Sequence, residues 1–228
     1  MHADYYQSIL YPLQDKVLRV IEQLTVEFYL TGGTALGRAF LHHRYSDDLD
    51  FFVNEITDFK QQVNTILNGL KASGFLFETT IADDAFARIF IFEGECSLKV
   101  DFVNDVPYRT GKPTETNLFK RTDTVLNILS NKITALSRYS PKDVVDIVFI
   151  CGFMHFTWEN IFDDAAEKDI WVNPVNAAQI LEEFPFEKIQ EIAWLNEIPS
   201  VDWFTRQLNQ IIADILDGGD NTIYKHAI

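Results

Sequence analysis

Basic residues are scarce in this 228-residue chain: 19 Lys and Arg stand against 34 Asp and Glu, a formal net charge of −15. General binding to nucleic acid needs a basic face to meet phosphates, so that class of function is excluded. The deficit is uneven. Residues 1–150 hold 15 basic and 20 acidic side chains, whereas residues 151–228 hold 4 and 14. The first part can therefore still furnish a local cationic pocket. Cysteine is almost missing. Cys96 and Cys151 stand far apart in apolar stretches, with neither metal-ligand spacing nor a disulfide framework. They read as two buried thiols in a reducing compartment. No apolar run approaches the ~18 residues of a membrane span, and no secretory h-region opens the chain. Internal repeats and low-complexity tracts are also lacking. The expectation is a cytoplasmic protein with no membrane partner.

What is present suits a globular protein. Hydrophobic residues make up 47% of the chain and include 19 Phe, enough for a sizeable, aromatic-rich core. Leu13, Val17, Leu18, Ile21 and Leu24 recur at helical spacing and predict an amphipathic helix over residues 12–24. Short apolar runs predict strands at 26–30, 48–53, 75–81, 87–92 and 97–103, with Glu93-Gly94-Glu95 as a hairpin turn. Helices are expected at 35–42 and from Phe59 to near Gly74. Residues 104–120, with Pro107, Gly111 and Pro113, read as a loop. Beyond it the period is helical throughout. One helix spans 122–139. Ser140-Pro141-Lys142-Asp143 starts the next, with Ser as N-cap and Asp three residues on. Residues 155–228 divide into three or four helices at Asn173-Pro174, Pro185, Pro199 and Gly218-Gly219. The layout predicts an α+β protein, with an α/β portion over residues 1–120 and a helical domain over 121–228.

The segment from Gly32 to Phe52 carries the chemistry. Side chains alternate along a strand, so Asp48 and Asp50 share one face while Leu49 and Phe51 turn to the core. Two like charges at neighbouring same-face positions require compensation, and a divalent cation that prefers hard oxygen supplies it. Gly32-Gly33-Thr34 precedes a helix, and free backbone N–H groups at a helix N-terminus form an anion site. Each piece alone is ordinary: a tight turn, a solvated strand edge. The succession of strand, Gly-Gly, helix and Asp-x-Asp strand joins a phosphate cradle to a metal site, which is what a nucleoside triphosphate needs.

Gly-Gly-Thr-Ala-Leu at 32–36, then Arg44, then Ser46-Asp47-Asp48-Leu49-Asp50-Phe51-Phe52, resembles the AbiEii/AbiGii toxin family of nucleotidyltransferases, within the polymerase-β-like superfamily. The family pattern has Gly-Gly or Gly-Ser. Gly33 stands where a Ser would offer phosphate a hydroxyl, and Thr34 could replace it. The resemblance, over about residues 26–155, implies a nucleotidyltransferase-like mixed sheet flanked by helices. It also implies a third carboxylate on a neighbouring strand. Leu98-Lys99-Val100-Asp101-Phe102 supplies Asp101, on the face that Lys99 shares. Asn131-Lys132 and Lys142-Asp143-x-x-Asp146 are similar to the family's later motifs. Lys132 lies within the apolar stripe of its helix, and a desolvated ammonium needs a partner. That partner is either a triphosphate or Asp146 in a buried ion pair. Asp143 is equally explained as a capping residue.

The resemblance thus implies an enzyme that moves a nucleoside monophosphate from an NTP to a hydroxyl, with Mg2+ or Mn2+ as cofactor. Asp48, Asp50 and Asp101 are the metal ligands and, with Lys132, the catalytic set. Gly32, Gly33, Thr34, Arg44, Ser46, Asp143 and Asp146 are expected to bind substrate. An RNA, tRNA, protein or small molecule is the acceptor, and a toxin role implies a cognate antitoxin. Two other readings stay open: an antibiotic-modifying nucleotidyltransferase, and a non-catalytic NTP-binding module. His42, His43 and His155 read as structural, and Trp158, Trp171, Trp194 and Trp203 as helix-packing residues.

Overall fold

The computed structural model describes residues 2–226. The chain divides into two compact units, one up to Thr124 and one from Val125. The first is built on an open mixed sheet of five strands: β1 (Tyr29–Thr31), β2 (Leu49–Asn54), β3 (Leu76–Ala82), β4 (Phe86–Glu93) and β5 (Cys96–Asp105), in the order β1-β2-β5-β4-β3. Only β2 and β5 run parallel; every other neighbour pair is antiparallel. Helix α1 covers residues 2–22 with a π-wound middle, Tyr6–Leu10. Helix α2 covers residues 32–41 and becomes π-wound from Ala35. Helix α3 is Phe59–Ala72.

Alternation along β2 and β5 sets the core. Leu49, Phe51, Val53, Leu98, Val100 and Phe102 are all buried, as period-two patterning demands. Phe51 stacks on Phe102 at 5.7 Å between centroids, and Phe28 meets Phe102 and Phe59 edge-on at 5.3 and 5.8 Å. Phe119 joins the cluster 5.6 Å from Phe51. The segment 104–120, expected as a plain loop, is thereby anchored in the core. Its continuation covers the β1 edge: Leu30 N–H donates to Arg121 O at 2.8 Å, and Asp123 N–H donates to Leu30 O at 2.9 Å. These bonds also delay the following helix. It begins at Val125, three residues later than the periodicity predicts, because Thr122 and Asp123 are engaged as extended backbone. Strand β3 forms the other edge, is largely exposed, and carries a register shift at Thr79/Ile81, a device that discourages further pairing.

The second unit is helical: α4 (Val125–Ala135), α5 (Pro141–Phe153), α6 (Trp158–Ala166), α7 (Pro174–Glu182) and α8 (Val201–Asp217), with shorter turns between. The breaks follow local chemistry. Asn173 caps α7 by accepting from Asn176 N–H, Ser200 caps α8 by accepting from Trp203 N–H, and Gly218 closes α8 in the left-handed region. Ser140 occupies the N-cap of α5, with Pro141 at the first position, but its side chain makes no capping bond. Trp158 is fully buried, as expected. Trp171 corrects the expectation: it is 81% exposed, since it lies in the link before Pro174 and on no apolar helix face. Both cysteines are buried free thiols, and burial pushes the Cys151 thiol well up.

Candidate active site

The parallel register of β2 and β5 aligns Asp50 with Asp101, and the antiparallel register of β4 and β5 aligns Arg88 with Asp101. With Thr31 opposite Asp50, one row across the sheet reads Thr31, Asp50, Asp101, Arg88. Arg88 grips Asp101 as a fork: Nε donates to Oδ1 and Nη2 to Oδ2, both at 2.7 Å. Bidentate pairs of this kind fix geometry as well as charge. Lys99, two residues before Asp101, reaches across the sheet. Its Nζ lies 2.7 Å from Asp48 Oδ2 and 3.7 Å from Asp101 Oδ2. The three sequence-predicted carboxylates are therefore gathered on one face, with two cations among them.

The electrostatics follow. The hydrogen bond to Asp101 raises the Arg88 pKa despite partial desolvation, with Asp48 and Asp50 adding to the effect. Half-burial of Lys99 by itself lowers its pKa. The hydrogen bond and charge of Asp48, then the charges of Asp101 and Asp50, outweigh this and raise it. Both cations stay charged at neutral pH.

The Gly-Gly turn abuts this face. Gly32 has φ +68°, and a Cβ there would collide with Asp50 Oδ2. Only glycine fits both the left-handed backbone and the close carboxylate. At Gly33 a Cβ would lie 2.7 Å from Arg44 Nη2 and 2.9 Å from Ser46 Oγ, so Arg44 and Ser46 line the turn. Arg44 is buried, and its Nη1 donates to Tyr45 O at 3.0 Å. Thr34 is fully buried, and its hydroxyl donates to Asp48 O. The residue expected to offer a hydroxyl to phosphate instead fixes the backbone of the first carboxylate.

The loop before β2 is held by α1, whose first ten residues the sequence leaves unassigned. Tyr6 stacks on Tyr45 at 4.3 Å and donates to Asp47 Oδ1 at 2.5 Å. Burial and that bond push its phenol far up. Tyr11 OH accepts from Ser46 N–H at 3.2 Å, and Gln14 Nε2 donates to the carbonyls of Ser46 and Asp47 at 3.2 Å.

Lys132 forms a cluster inside the helical unit. Its Nζ lies 2.5 Å from Asp143 Oδ1 and 2.8 Å from Asp146 Oδ2, and Asp146 is fully buried. The ammonium thus joins α4 to α5, and Asp143, at the third position of α5, serves Lys132. Two residues went unforeseen. Arg88 stands in an apolar strand, where only cross-strand register shows its partner. Lys168 is ringed by Asn127 Oδ1, Ser130 Oγ and Asn131 Oδ1 at 2.5–2.7 Å, a contact between α4 and the turn after α6 that periodicity does not encode.

The donor chemistry of Asp48, Asp50 and Asp101 fits a hard divalent cation, and the crowded Gly32 keeps Asp50 against the turn. Among the described residues, no three His, Cys, Asp or Glu side chains converge closely enough to hold a metal ion. Lys99 lies between Asp48 and Asp101, and Arg88 holds Asp101 from its other side.

Residues 17–212 match a protein-family model described as nucleotidyl transferase AbiEii toxin, type IV toxin–antitoxin system. No curated protein matches the chain in sequence. Among solved structures the fold is similar to JHP933 from Helicobacter pylori, with 18% identity, a TM-score of 0.58, and coverage of 95% of this chain and 92% of the other. A putative nucleotidyltransferase from H. pylori gives 18%, 0.57, 95% and 95%. The nucleotidyltransferase toxin MenT4 from Mycobacterium tuberculosis gives 16%, 0.60, 92% and 84%.

Proposed function

Since the chain belongs to the AbiEii nucleotidyl transferase toxin family of type IV toxin–antitoxin systems, we propose that it transfers a nucleoside monophosphate from an NTP to a hydroxyl acceptor and releases pyrophosphate. The observation that carries this reading is the row Asp50–Asp101, with Asp48 beside it, against the Gly32-Gly33 turn. A module that only binds a partner has no need of three carboxylates on one sheet face beside a glycine turn at a helix N-terminus.

In this reading Asp48 and Asp50 hold Mg2+ or Mn2+, and Asp101 completes the set. The bound ion supplies charge neutralisation at the triphosphate and at the attacking oxygen. Backbone N–H groups after Gly32 hold phosphate oxygens, with the buried Arg44 guanidinium behind the turn and Ser46 Oγ beside it. The acceptor oxygen attacks the α-phosphorus as the bond to the bridging oxygen breaks. Asp101 orients the acceptor hydroxyl or takes its proton. Positioning and electrostatics carry such a step. Lys132, Asp143 and Asp146 enter the proposal only on the likeness of their motif to the family's.

The acceptor is an RNA hydroxyl in our reading, and the toxic effect, countered by a cognate antitoxin, follows from its modification. The acidity of the chain favours one second reading, a cationic small molecule as acceptor. The test incubates the protein with each α-labelled NTP and Mg2+, in parallel with total cellular RNA and with a small-metabolite pool. Label in the RNA fraction, lost on EDTA addition, supports the proposal. Label confined to small metabolites supports the second reading. Label in neither fraction with any NTP contradicts the enzymatic reading.

A further inference from the structure

We propose that Lys99 is a built-in counter-cation of the carboxylate face, holding Asp48 and Asp101 in the metal-free protein and competing with the divalent ion for them. The inference rests on the metal-dependent reading above and deepens it. Its basis is position. Lys99 Nζ lies 2.7 Å from Asp48 Oδ2 and 3.7 Å from Asp101 Oδ2, so one ammonium bridges a carboxylate on β5 and one in the residue just before β2. A strand position two residues from Asp101 puts Lys99 on the same sheet face, and parallel pairing with β2 sets it beside Asp48.

The two cations of the face are not equivalent. Arg88 holds both oxygens of Asp101 from the β4 side, a planar fork that costs much to break. Lys99 is a single ammonium on a flexible stem, 28% exposed, and its closest partner Asp48 is 34% exposed. Its stem lets the head swing to solvent with little cost. A divalent ion that engages both Asp48 and Asp50 brings a second positive charge to the carboxylate that Lys99 already contacts. Lys99 and the divalent ion therefore compete for Asp48, and Arg88 can remain as the fixed support of Asp101. The arrangement lets the carboxylates persist together without metal, at the expense of metal affinity. Lys99 thus acts as a positioning residue that sets the metal concentration at which the site fills.

Mn2+ binding to the full chain tests this without reference to catalysis, by the paramagnetic signal of free Mn2+ during titration and by the melting temperature with and without the ion. Wild type, Lys99→Met, Lys99→Gln, Lys99→Arg and Asp48→Asn are compared, each checked for fold by circular dichroism. Both neutral variants are expected to bind Mn2+ about tenfold more tightly or better, since a like charge close to the ion has gone. They are also expected to show a lower melting temperature without metal and a larger rise on adding it. Lys99→Arg should stay near wild type. If the neutral variants bind Mn2+ as wild type does, or more weakly, while Asp48→Asn abolishes binding, the counter-cation inference is overturned and the metal reading stands. If wild type itself shows no binding that depends on Asp48, both fall together. Should one neutral variant fail to fold, the other decides.

Discussion

Gly32 shows how much one residue constrains the site. Its φ of +68° and the Asp50 carboxylate against its α-carbon leave no room for a side chain. Gly32→Ala is expected to lower stability by about 1–3 kcal/mol, the scale of a strained backbone position, and to displace Asp50. Chemical denaturation and Mn2+ titration check the two effects, and a variant matching wild type in both would contradict the assignment. At this scale the sequence was largely legible. Gly32-Gly33, Asp48 and Asp50 stand out by spacing, and period two fixes their common face. Arg88 was not legible, because its meaning lies in the register that sets it opposite Asp101. Thr34 was legible as a hydroxyl near the turn, but its direction was not: the hydroxyl points inward to the Asp48 carbonyl.

Among elements, the junctions hold the information that periodicity omits. All five strands and the main helices follow from apolar spacing, yet the first ten residues of α1 do not. Their polar Tyr6 and Gln7 interrupt the apolar pattern, while Tyr6 earns burial only by stacking on Tyr45 and bonding Asp47. Likewise the helix expected from Thr122 yields its first turn to cover the β1 edge. The α4–α5 pair turns on Lys132, whose ammonium meets Asp143 and fully buried Asp146. Breaking a buried pair from one side leaves an uncompensated charge. Lys132→Met is therefore expected to cost about 3–5 kcal/mol of stability in urea denaturation, and adding Asp146→Asn to that variant should recover part of it. A Lys132→Met protein as stable as wild type would remove the structural role of the pair.

For the whole molecule, charge is the leading constraint. With a net −15, non-specific attraction to phosphate backbones is weak, so an RNA acceptor must be recognised locally at the site. Binding of random single-stranded RNA at 0.15 M salt is expected to be no tighter than roughly 10⁻⁴ M, the weak end of non-specific binding, as read by fluorescence anisotropy. Micromolar binding of random RNA would contradict this. The fold class follows from the alternation of strands and helices. The acceptor does not follow, because it depends on surface shape that no spacing rule encodes. The proposed function places metal-dependent nucleotidyl transfer on Asp48 and Asp50. Its most direct test is the single-turnover rate of α-label transfer, with Mg2+, for wild type and for Asp48→Asn and Asp50→Asn variants of native fold. A loss of about 10³-fold or more is expected in each variant, several kcal/mol of barrier. Transfer at equal rates in wild type and both variants would contradict it.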